Sequence, residues 1–172
     1  MILTSWNCRG LASKPKKLAL TELVMISKAD VLLLQETLGK GKDIESMLNA
    51  LLPGWNFTAM DSDGHSGGLA VGIREGKIKI WNRWGMKQVL GIECQSIEFE
   101  FPLTIINIYG PCQERIPFWN GLMGNSLVKN NYMVMGGDLN FSLGRVEAWG
   151  PAAREDPQSD FFMNLLASNN LI

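Results

Sequence analysis

The sequence has little histidine, cysteine or tyrosine, with one His, three Cys and two Tyr among 172 residues. Cys8, Cys94 and Cys112 are odd in number and far apart, without the CxxC or paired Cys/His spacing of a zinc site. This pattern argues against a disulfide framework. No apolar run approaches the roughly 18 residues that span a bilayer, and no signal-peptide pattern opens the chain. These absences predict an intracellular protein, nuclear or cytoplasmic, that does not contact a membrane.

An excess of charge of one sign is also lacking. There are 16 Lys and Arg residues against 17 Asp and Glu residues, for a formal net charge of -1. The balance neither favours nor excludes a polyanionic partner, so any basic surface must be local. The densest basic stretch lies near the N-terminus, at Arg9, Lys14, Lys16 and Lys17. Charge alone favours a solvated surface for this stretch, and a phosphate-binding surface is the alternative.

The composition is that of a folded protein, with 46% hydrophobic and 19% charged residues. A chain of 172 residues can bury roughly 68–70% of its unfolded surface, so a substantial core is expected. No internal repeat, low-complexity tract or linker interrupts the sequence. We therefore predict a single domain that spans residues 1–172.

Hydrophobic patterning predicts an α/β fold. Residues 1–8 alternate as a strand does, and residues 14–29 carry apolar side chains at helical spacing, with Pro15 in the first turn. The sequence DVLLLQET at 30–37 is continuously apolar before its polar end, which is typical of a strand buried on both faces. Strands and helices alternate early and strands follow one another in the middle. We therefore expect mixed sheets in layers with helices outside.

The middle of the chain gives three local expectations. The turn-rich sequence DSDGHSGG at 61–68 predicts a loop between two strands. The next two strand patterns, LAVGI at 69–73 and KIKIWNR at 77–83, are expected to form a hairpin. A shift of the apolar phase after Cys94 predicts a one-residue bulge near Ser96.

Polar side chains stand at four predicted strand ends, where strand propensity does not require them: Asn7, Glu36, Tyr109 and the pair Asp138 and Asn140. Taken singly, each has an ordinary explanation, such as a turn cap, an Asx-turn or a hydroxyl directed at the surface. Taken together they favour a ligand site, because ligands in layered α/β proteins gather at strand ends. Carboxylate and amide oxygens suit Mg²⁺, so Glu36 and Asn7 are predicted metal ligands. Asp138 and Asn140 could hold an attacking water.

Five short motifs resemble, in their order and spacing, those of the endonuclease/exonuclease/phosphatase superfamily, and within it the apurinic-like endonuclease domain of plant LINE-type (non-LTR) retrotransposons. They are SWNCRGL, LLLQET, SGGLAVGI, INIYGP and GGDLNF, and they extend over nearly the whole chain. The resemblance implies a four-layer α/β sandwich of two packed mixed β-sheets flanked by helices. It also implies a Mg²⁺-dependent phosphodiesterase that cleaves DNA, with Mn²⁺ as an alternative metal.

Residue by residue, the resemblance assigns Mg²⁺ binding to Asn7 and Glu36. Tyr109 would contact or orient the scissile phosphate. Asp138 would orient or deprotonate the attacking water, and Asn140 would belong to the same network. These roles are what the resemblance implies for the polar strand ends.

DNA phosphates would meet the basic stretch and the turn-rich sequence, at Arg9, Lys14, Lys16, Lys17 and His65. His65 is the only histidine of the chain and has no carboxylate nearby in sequence at an orienting position. A solvent-exposed loop residue is therefore the favoured interpretation of His65. A phosphate contact is the alternative.

The superfamily pattern continues with another acidic motif and a closing Ser-Asp-His, whereas this sequence ends in NNLI. We therefore expect an incomplete domain whose fold is missing its last strands. Missing strands would expose a sheet edge and apolar side chains. A homodimer or a protein partner that covers this edge is expected.

Two functions are compatible with these features. One is a Mg²⁺-dependent DNA endonuclease, weak or inactive because the closing Asp-His motif is absent; removing one such group can cost about 10²–10³ in rate. The alternative is a non-catalytic binding, decoy or regulatory module, derived from such a domain and acting through protein-protein contacts. The motifs favour the enzyme by descent, and the missing end favours the module.

Overall fold

The computed structural model of the protein describes residues 1–64, 66–129, 132–147, 150 and 154–171. The chain divides into two compact units. The first consists of Met1–Tyr109 and Asn130–Asp138, and the second of Gly110–Lys129 and Leu139–Ile172.

Among its described residues, the first unit contains eight strands and two helices. The strands are β1 (Leu3–Asn7), β2 (Val31–Gln35), β3 (Trp55–Asp63), β4 (Ser66–Arg74), β5 (Ile78–Met86), β6 (Val89–Ser96), β7 (Leu103–Tyr109) and β8 (Tyr132–Asp138). The helices are α1 (Lys14–Ser27) and α2 (Gly41–Leu51).

The strands form two four-stranded sheets, in the orders β1-β2-β4-β3 and β5-β6-β7-β8. β1 pairs in parallel with β2, and β7 with β8, whereas the other neighbours are antiparallel. Both sheets are therefore mixed. Side chains from the two sheets share one apolar core, which includes Val31, Leu33, Val71, Ile92 and Ile105.

The strand β2 shows how the layers are built from sequence. Leu32 and Leu34 pack in a second apolar cluster with Leu20 of α1 and Leu48 of α2, whereas Leu33 belongs to the core between the sheets. Successive side chains of a strand point to opposite faces, so a strand covered on both sides must be apolar throughout. The predicted α/β sandwich of two packed mixed sheets flanked by helices is confirmed.

Two local expectations about the middle strands were wrong. Most of the sequence at 61–68 is strand and not loop, because β3 continues to Asp63 and β4 begins at Ser66. These two residues are direct partners in an antiparallel ladder, so backbone pairing prevails over the turn-forming composition. β4 and β5 do not form a hairpin, because β4 lies in the first sheet and β5 in the second.

The bulge was also expected in the wrong strand. The register shift lies between Ile80 and Asn82 of β5, whereas β6 simply ends at Ser96. The change of apolar phase after Cys94 therefore marks the end of a strand. Phe99 and Phe101 stack on each other in the segment that follows, with ring centroids 5.5 Å apart.

The second unit is helical and has an aromatic core. Its helices are α3 (Arg115–Gly124), α4 (Ser126–Lys129) and α5 (Ser159–Ser168), with a 3₁₀ turn at Arg145–Glu147. Phe141 stacks on Phe162 with centroids 4.1 Å apart and an interplanar angle of 8°. Trp119 meets both rings edge-on. This cluster fixes the segment after β8, because Phe141 belongs to it.

The three cysteines are free, and two of them are buried. Burial is the main reason why the pKa of Cys8 is raised to about 12 and that of Cys94 to about 11. The Cys8 thiol donates a hydrogen bond to the carbonyl of Gln35 at 3.0 Å. Cys112 lies in the second unit and is exposed.

Candidate functional site

Four of the predicted site residues lie at strand ends of the first unit. Asn7 ends β1, Tyr109 ends β7 and Asp138 ends β8, while Glu36 directly follows β2. Asn7 is the register partner of Gln35, next to Glu36, and Tyr109 is the partner of Asp138. Because parallel neighbours end at the same edge of a sheet, both pairs lie at carboxyl ends, where ligands of such folds bind. We refer to Asn7, Glu36, Tyr109 and Asp138 as the strand-end cluster.

The Asn7 amide joins the two carboxylates of the cluster. Its Nδ2 donates hydrogen bonds to Glu36 Oε1 and Asp138 Oδ2, both at 2.7 Å. Glu36 follows a strand of the first sheet and Asp138 ends a strand of the second, so this one side chain connects the two sheets at their edge. Hydrogen bonds to ionised acceptors are among the stronger ones in proteins. The sequence-predicted residues Asn7, Glu36 and Asp138 therefore do meet.

The donor chemistry of the cluster suits a divalent cation. Two carboxylates close to one amide carry like charges, which a nearby cation would compensate. Mg²⁺ takes hard oxygen donors and needs only one or two protein carboxylates. Asn7 Oδ1 accepts a hydrogen bond from the backbone N–H of Arg9 at 3.2 Å, so Asn7 now presents its nitrogen to the carboxylates. In the part of the chain that is described, no group of three or more His, Cys, Asp or Glu side chains is arranged for a metal ion.

The backbone of Glu36 is held in an unusual conformation. Its φ is +52°, in the left-handed region that residues other than glycine seldom adopt. Hydrogen bonds fix the backbone on both sides: Gly10 N–H donates to the Glu36 carbonyl at 2.7 Å, and Thr37 N–H donates to the Gly68 carbonyl at 3.1 Å. Such conformations persist only where the surroundings over-determine them, and they concentrate at functional sites.

A glycine in the SGGLAVGI motif makes room for the left-handed segment at Glu36. Gly68 has a φ of +83°, and a Cβ there would lie 2.5 Å from Thr37 Oγ1. Thr37 is buried, and its hydroxyl has no hydrogen-bond partner among the described residues. The glycine therefore lets β4 approach the residues that follow Glu36.

The double glycine before Asp138 has a similar purpose. A Cβ at Gly137, whose φ is +138°, would collide with the carbonyl oxygen of Ile108 on β7. A Cβ at Gly136 would lie 2.8 Å from Leu33 Cδ1 of the facing sheet. The two glycines thus allow β8 to pack closely against β7 and against the other sheet just before Asp138.

Asn140 follows Asp138 by two positions and lies in the second unit. It too is left-handed, with a φ of +52°. Its Nδ2 donates to the Gly110 carbonyl at 2.5 Å, and its own carbonyl accepts from Arg115 Nη1 at 2.9 Å. Both the side chain and the backbone of Asn140 are therefore fixed within this unit.

An ion pair that sequence reasoning missed supports Asn140. Arg115 donates through Nη1 and Nη2 to the two carboxylate oxygens of Asp156, at 2.6 and 2.7 Å. The Asp156 carboxylate also accepts from the backbone N–H groups of Ser142 and Gln158. The hydrogen bonds from Arg115 are the largest cause that lowers the pKa of Asp156, to about 2. The two residues are 41 positions apart, and no local sequence pattern links them.

The basic residues have different environments. Arg9 and Lys14 are exposed, whereas Lys16 and Lys17 are half-buried. Lys16 Nζ donates to the Cys8 carbonyl at 2.6 Å and lies 5.7 Å from the centre of the Trp6 ring. Arg9 and Lys14 are thus the more accessible of the four. The remaining predicted phosphate contact, His65, lies outside the described residues.

Two further residues next to the cluster were not predicted as functional. Gln35 and Asn107 are fully buried, and their side chains are hydrogen-bonded to each other. In the sequence each is a polar residue in a mainly apolar strand. That signal does not distinguish a functional residue from Thr104, which is also buried in β7.

None of the described helices is long and apolar enough to cross a membrane.

Residues 4–160 match the Endonuclease/Exonuclease/phosphatase family. A comparison with curated proteins found no relative. Among solved structures, an AP endonuclease of Leishmania major is similar with a TM-score of 0.72 and 15% identity, over 98% of this chain and 66% of that one. The chain thus spans just under two thirds of the length of that protein.

Two other solved structures are similar to a comparable degree. The endonuclease domain of TRAS1, a telomere-specific non-LTR retrotransposon, matches with a TM-score of 0.67 and 14% identity, over 96% of this chain and 70% of that one. A 3'-5' exonuclease of Neisseria meningitidis matches with a TM-score of 0.67 and 16% identity, over 97% and 71% of the two chains. At these identities the similarity establishes a shared fold.

Proposed function

Because the chain belongs to the endonuclease/exonuclease/phosphatase family, which residues 4–160 match, we propose that it is a Mg²⁺-dependent phosphodiesterase that nicks DNA. The observation that carries the proposal is the Asn7 amide, hydrogen-bonded at once to the carboxylates of Glu36 and Asp138. An AP endonuclease and a retrotransposon endonuclease share the fold, which supports DNA as the substrate. Enzymes of the family generally use divalent metals, which supports Mg²⁺, or Mn²⁺, as the cofactor.

In the proposed reaction, Asp138 accepts a proton from a water molecule whose oxygen forms a bond to phosphorus. The bond from phosphorus to the leaving oxygen breaks, and that oxygen takes a proton from solvent. Tyr109 orients the phosphate, and the motif resemblance adds Asn140 to this set. Glu36 and Asn7 would hold Mg²⁺, which would stabilise negative charge on the phosphate.

The exposed residues near β1 are proposed to bind the DNA backbone. Arg9 and Lys14 carry most of this contact because they are accessible, and Lys16, Lys17 and His65 add to it. Contacts to phosphates carry no sequence information and weaken with salt. The contact is therefore insensitive to sequence.

The five motifs resemble those of plant LINE-type endonucleases, and we propose an origin in such an element and an intracellular location. The 172 residues contain one histidine, His65, and no Ser-Asp-His sequence. We therefore expect residues 1–172 alone to cleave slowly, since loss of one transition-state-stabilising group costs about 10²–10³ in rate.

The test is nicking of supercoiled plasmid by the purified chain with and without Mg²⁺. Glu36→Gln and Asp138→Asn remove one charge each with little change of shape, and Glu22→Gln, exposed on α1, is the matched control. We expect Mg²⁺-dependent nicking in the parent and in the Glu22→Gln variant, and its loss in the two site variants. Identical background in all four proteins would refute catalysis and favour the alternative, a binding, decoy or regulatory module.

That alternative also has structural support. β1 and β8 are terminal strands of their sheets, and exposed apolar side chains lie directly before β1, at Ile2, and at the start of β8, at Tyr132. A terminal strand presents unpaired backbone groups to other chains. A second copy or a protein partner is proposed to cover this edge.

A further inference from the structure

A buried amide pair connects the two sheets directly beneath the strand-end cluster. Gln35 ends β2 in the first sheet, and Asn107 lies in β7 of the second. Gln35 Nε2 donates to Asn107 Oδ1 at 2.6 Å, and both residues have no exposed surface. This hydrogen bond joins the two sheets beside the apolar core that they share.

The pair is well satisfied by its surroundings. Asn107 Nδ2 donates to the backbone carbonyls of Leu34 and Ala70, both at 3.0 Å, which lie opposite each other on β2 and β4. Gln35 Nε2 also donates to Ser5 Oγ of β1 at 3.2 Å. Satisfied buried networks rigidify a core, whereas partly satisfied ones are costly.

Each member of this network lies close in sequence to a member of the strand-end cluster. Ser5 precedes Asn7 by two residues, and Asn107 precedes Tyr109 by two, so the members of each pair share a face of their strand. Gln35 directly precedes Glu36, and its carbonyl accepts from the Cys8 N–H at 3.0 Å. The network therefore forms the layer immediately below the site.

Apolar packing does not specify how far one sheet is displaced along the other, because the hydrophobic effect is non-directional. A hydrogen bond of 2.6 Å is directional and defines one displacement. We propose that Gln35 and Asn107 are positioning residues, which fix the offset of the two sheets so that Asn7 reaches both Glu36 and Asp138. This inference rests on the proposed function for its catalytic consequence.

The test replaces the pair by apolar residues of similar size, in the double variant Gln35→Met with Asn107→Leu. The double variant removes both members of the Gln35–Asn107 hydrogen bond together, but Ser5 Oγ and the Leu34 and Ala70 carbonyls lose a partner. The melting temperature should therefore fall by about 5–10 °C. The Asn7 side-chain amide, observed by ¹⁵N NMR without metal, should exchange its protons with water about tenfold faster as its hydrogen bonds to the carboxylates loosen. The kcat of nicking should fall by about 10²-fold, the effect of a misplacement near 1 Å, with KM changed much less.

Thr104→Val is the matched control, an isosteric change at another buried position of β7, and it should alter neither the Asn7 amide nor kcat. A folded double variant with an unchanged Asn7 amide would overturn the proposal. If the parent does not cleave DNA, the proposed function fails, but the Asn7 amide still decides the positioning role. If the double variant does not fold, Ser5→Ala replaces it, since it removes only the hydrogen bonds between Ser5 and Gln35. An unchanged Asn7 amide in that variant counts against the network.

Discussion

At the scale of single residues, Asp156 organises the segment that carries Asn140. Its carboxylate accepts hydrogen bonds from Nη1 and Nη2 of Arg115, and the same guanidinium donates to the Asn140 carbonyl. The Asp156 side chain is only 9% exposed, so water competes little for these contacts. The left-handed backbone of Asn140 therefore depends on a carboxylate that lies beyond the 3₁₀ turn in the sequence.

The low pKa of Asp156 predicts a loss of stability in acid. The pKa is about 2 in the folded protein, against an ordinary value of 3.8. The stabilisation is fully present above about pH 4, and it falls progressively as the pH drops towards 2. It amounts to about 2 kcal/mol, from the difference of the two pKa values. The free energy of unfolding, measured in urea between pH 2 and 5, should fall as the pH is lowered in the parent, and this fall should be smaller in Asp156→Asn. The same pH dependence in both proteins would contradict the prediction.

The site residues that the sequence reveals differ physically from those that it does not reveal. Glu36 and Asp138 place a charge at the end of an apolar run, which strand packing does not require, so they are visible without a structure. Gln35, Asn107 and Arg115 act through partners that only the fold brings near. Their hydrogen bonds join positions 25 to 73 apart, beyond any local pattern.

At the scale of elements, the last residues of β8 depend on glycine. Gly137→Ala would place a Cβ against the Ile108 carbonyl at a φ of +138°, where L-residues are strained. We expect a loss of about 3 kcal/mol or more in the free energy of unfolding, measured by urea denaturation. Gly121→Ala is the matched control, since it lies exposed in α3 with no atom near its Cβ. That change should stabilise by about 0.5–1 kcal/mol; equal effects of the two would refute the strain argument.

Strand and helix types followed from periodicity, but strand partners did not. β2 was predicted as buried on both faces because its first four positions, Val31 to Leu34, are all apolar, and it is. The connection from Arg74 to Ile78 gave no sign that the chain leaves one sheet for the other. A short turn looks alike whether it closes a hairpin or crosses between sheets, because the choice is made by the packing of distant strands.

At the scale of the whole molecule, the terminal position of β8 predicts self-association. Tyr132 begins this strand and is 64% exposed, and its ring centroid lies 4.2 Å from that of Phe101. A charge at this edge should prevent strand pairing with another chain. Light scattering should show association that increases with concentration in the parent and decreases in Tyr132→Lys. Val146→Lys, at an exposed apolar residue of a 3₁₀ turn, is the control, and a parent that stays monomeric at all concentrations would contradict the prediction.

The burial of Cys8 and Cys94 has a practical consequence for chemical labelling. Alkylating reagents attack thiolates, and the raised pKa values of these two buried thiols leave almost no thiolate at neutral pH. Cys112 is exposed, so a maleimide dye or a spin label would attach there with a stoichiometry of one per chain. The native sequence thus offers a single spectroscopic probe position in the second unit, and the strand-end cluster stays chemically unaltered.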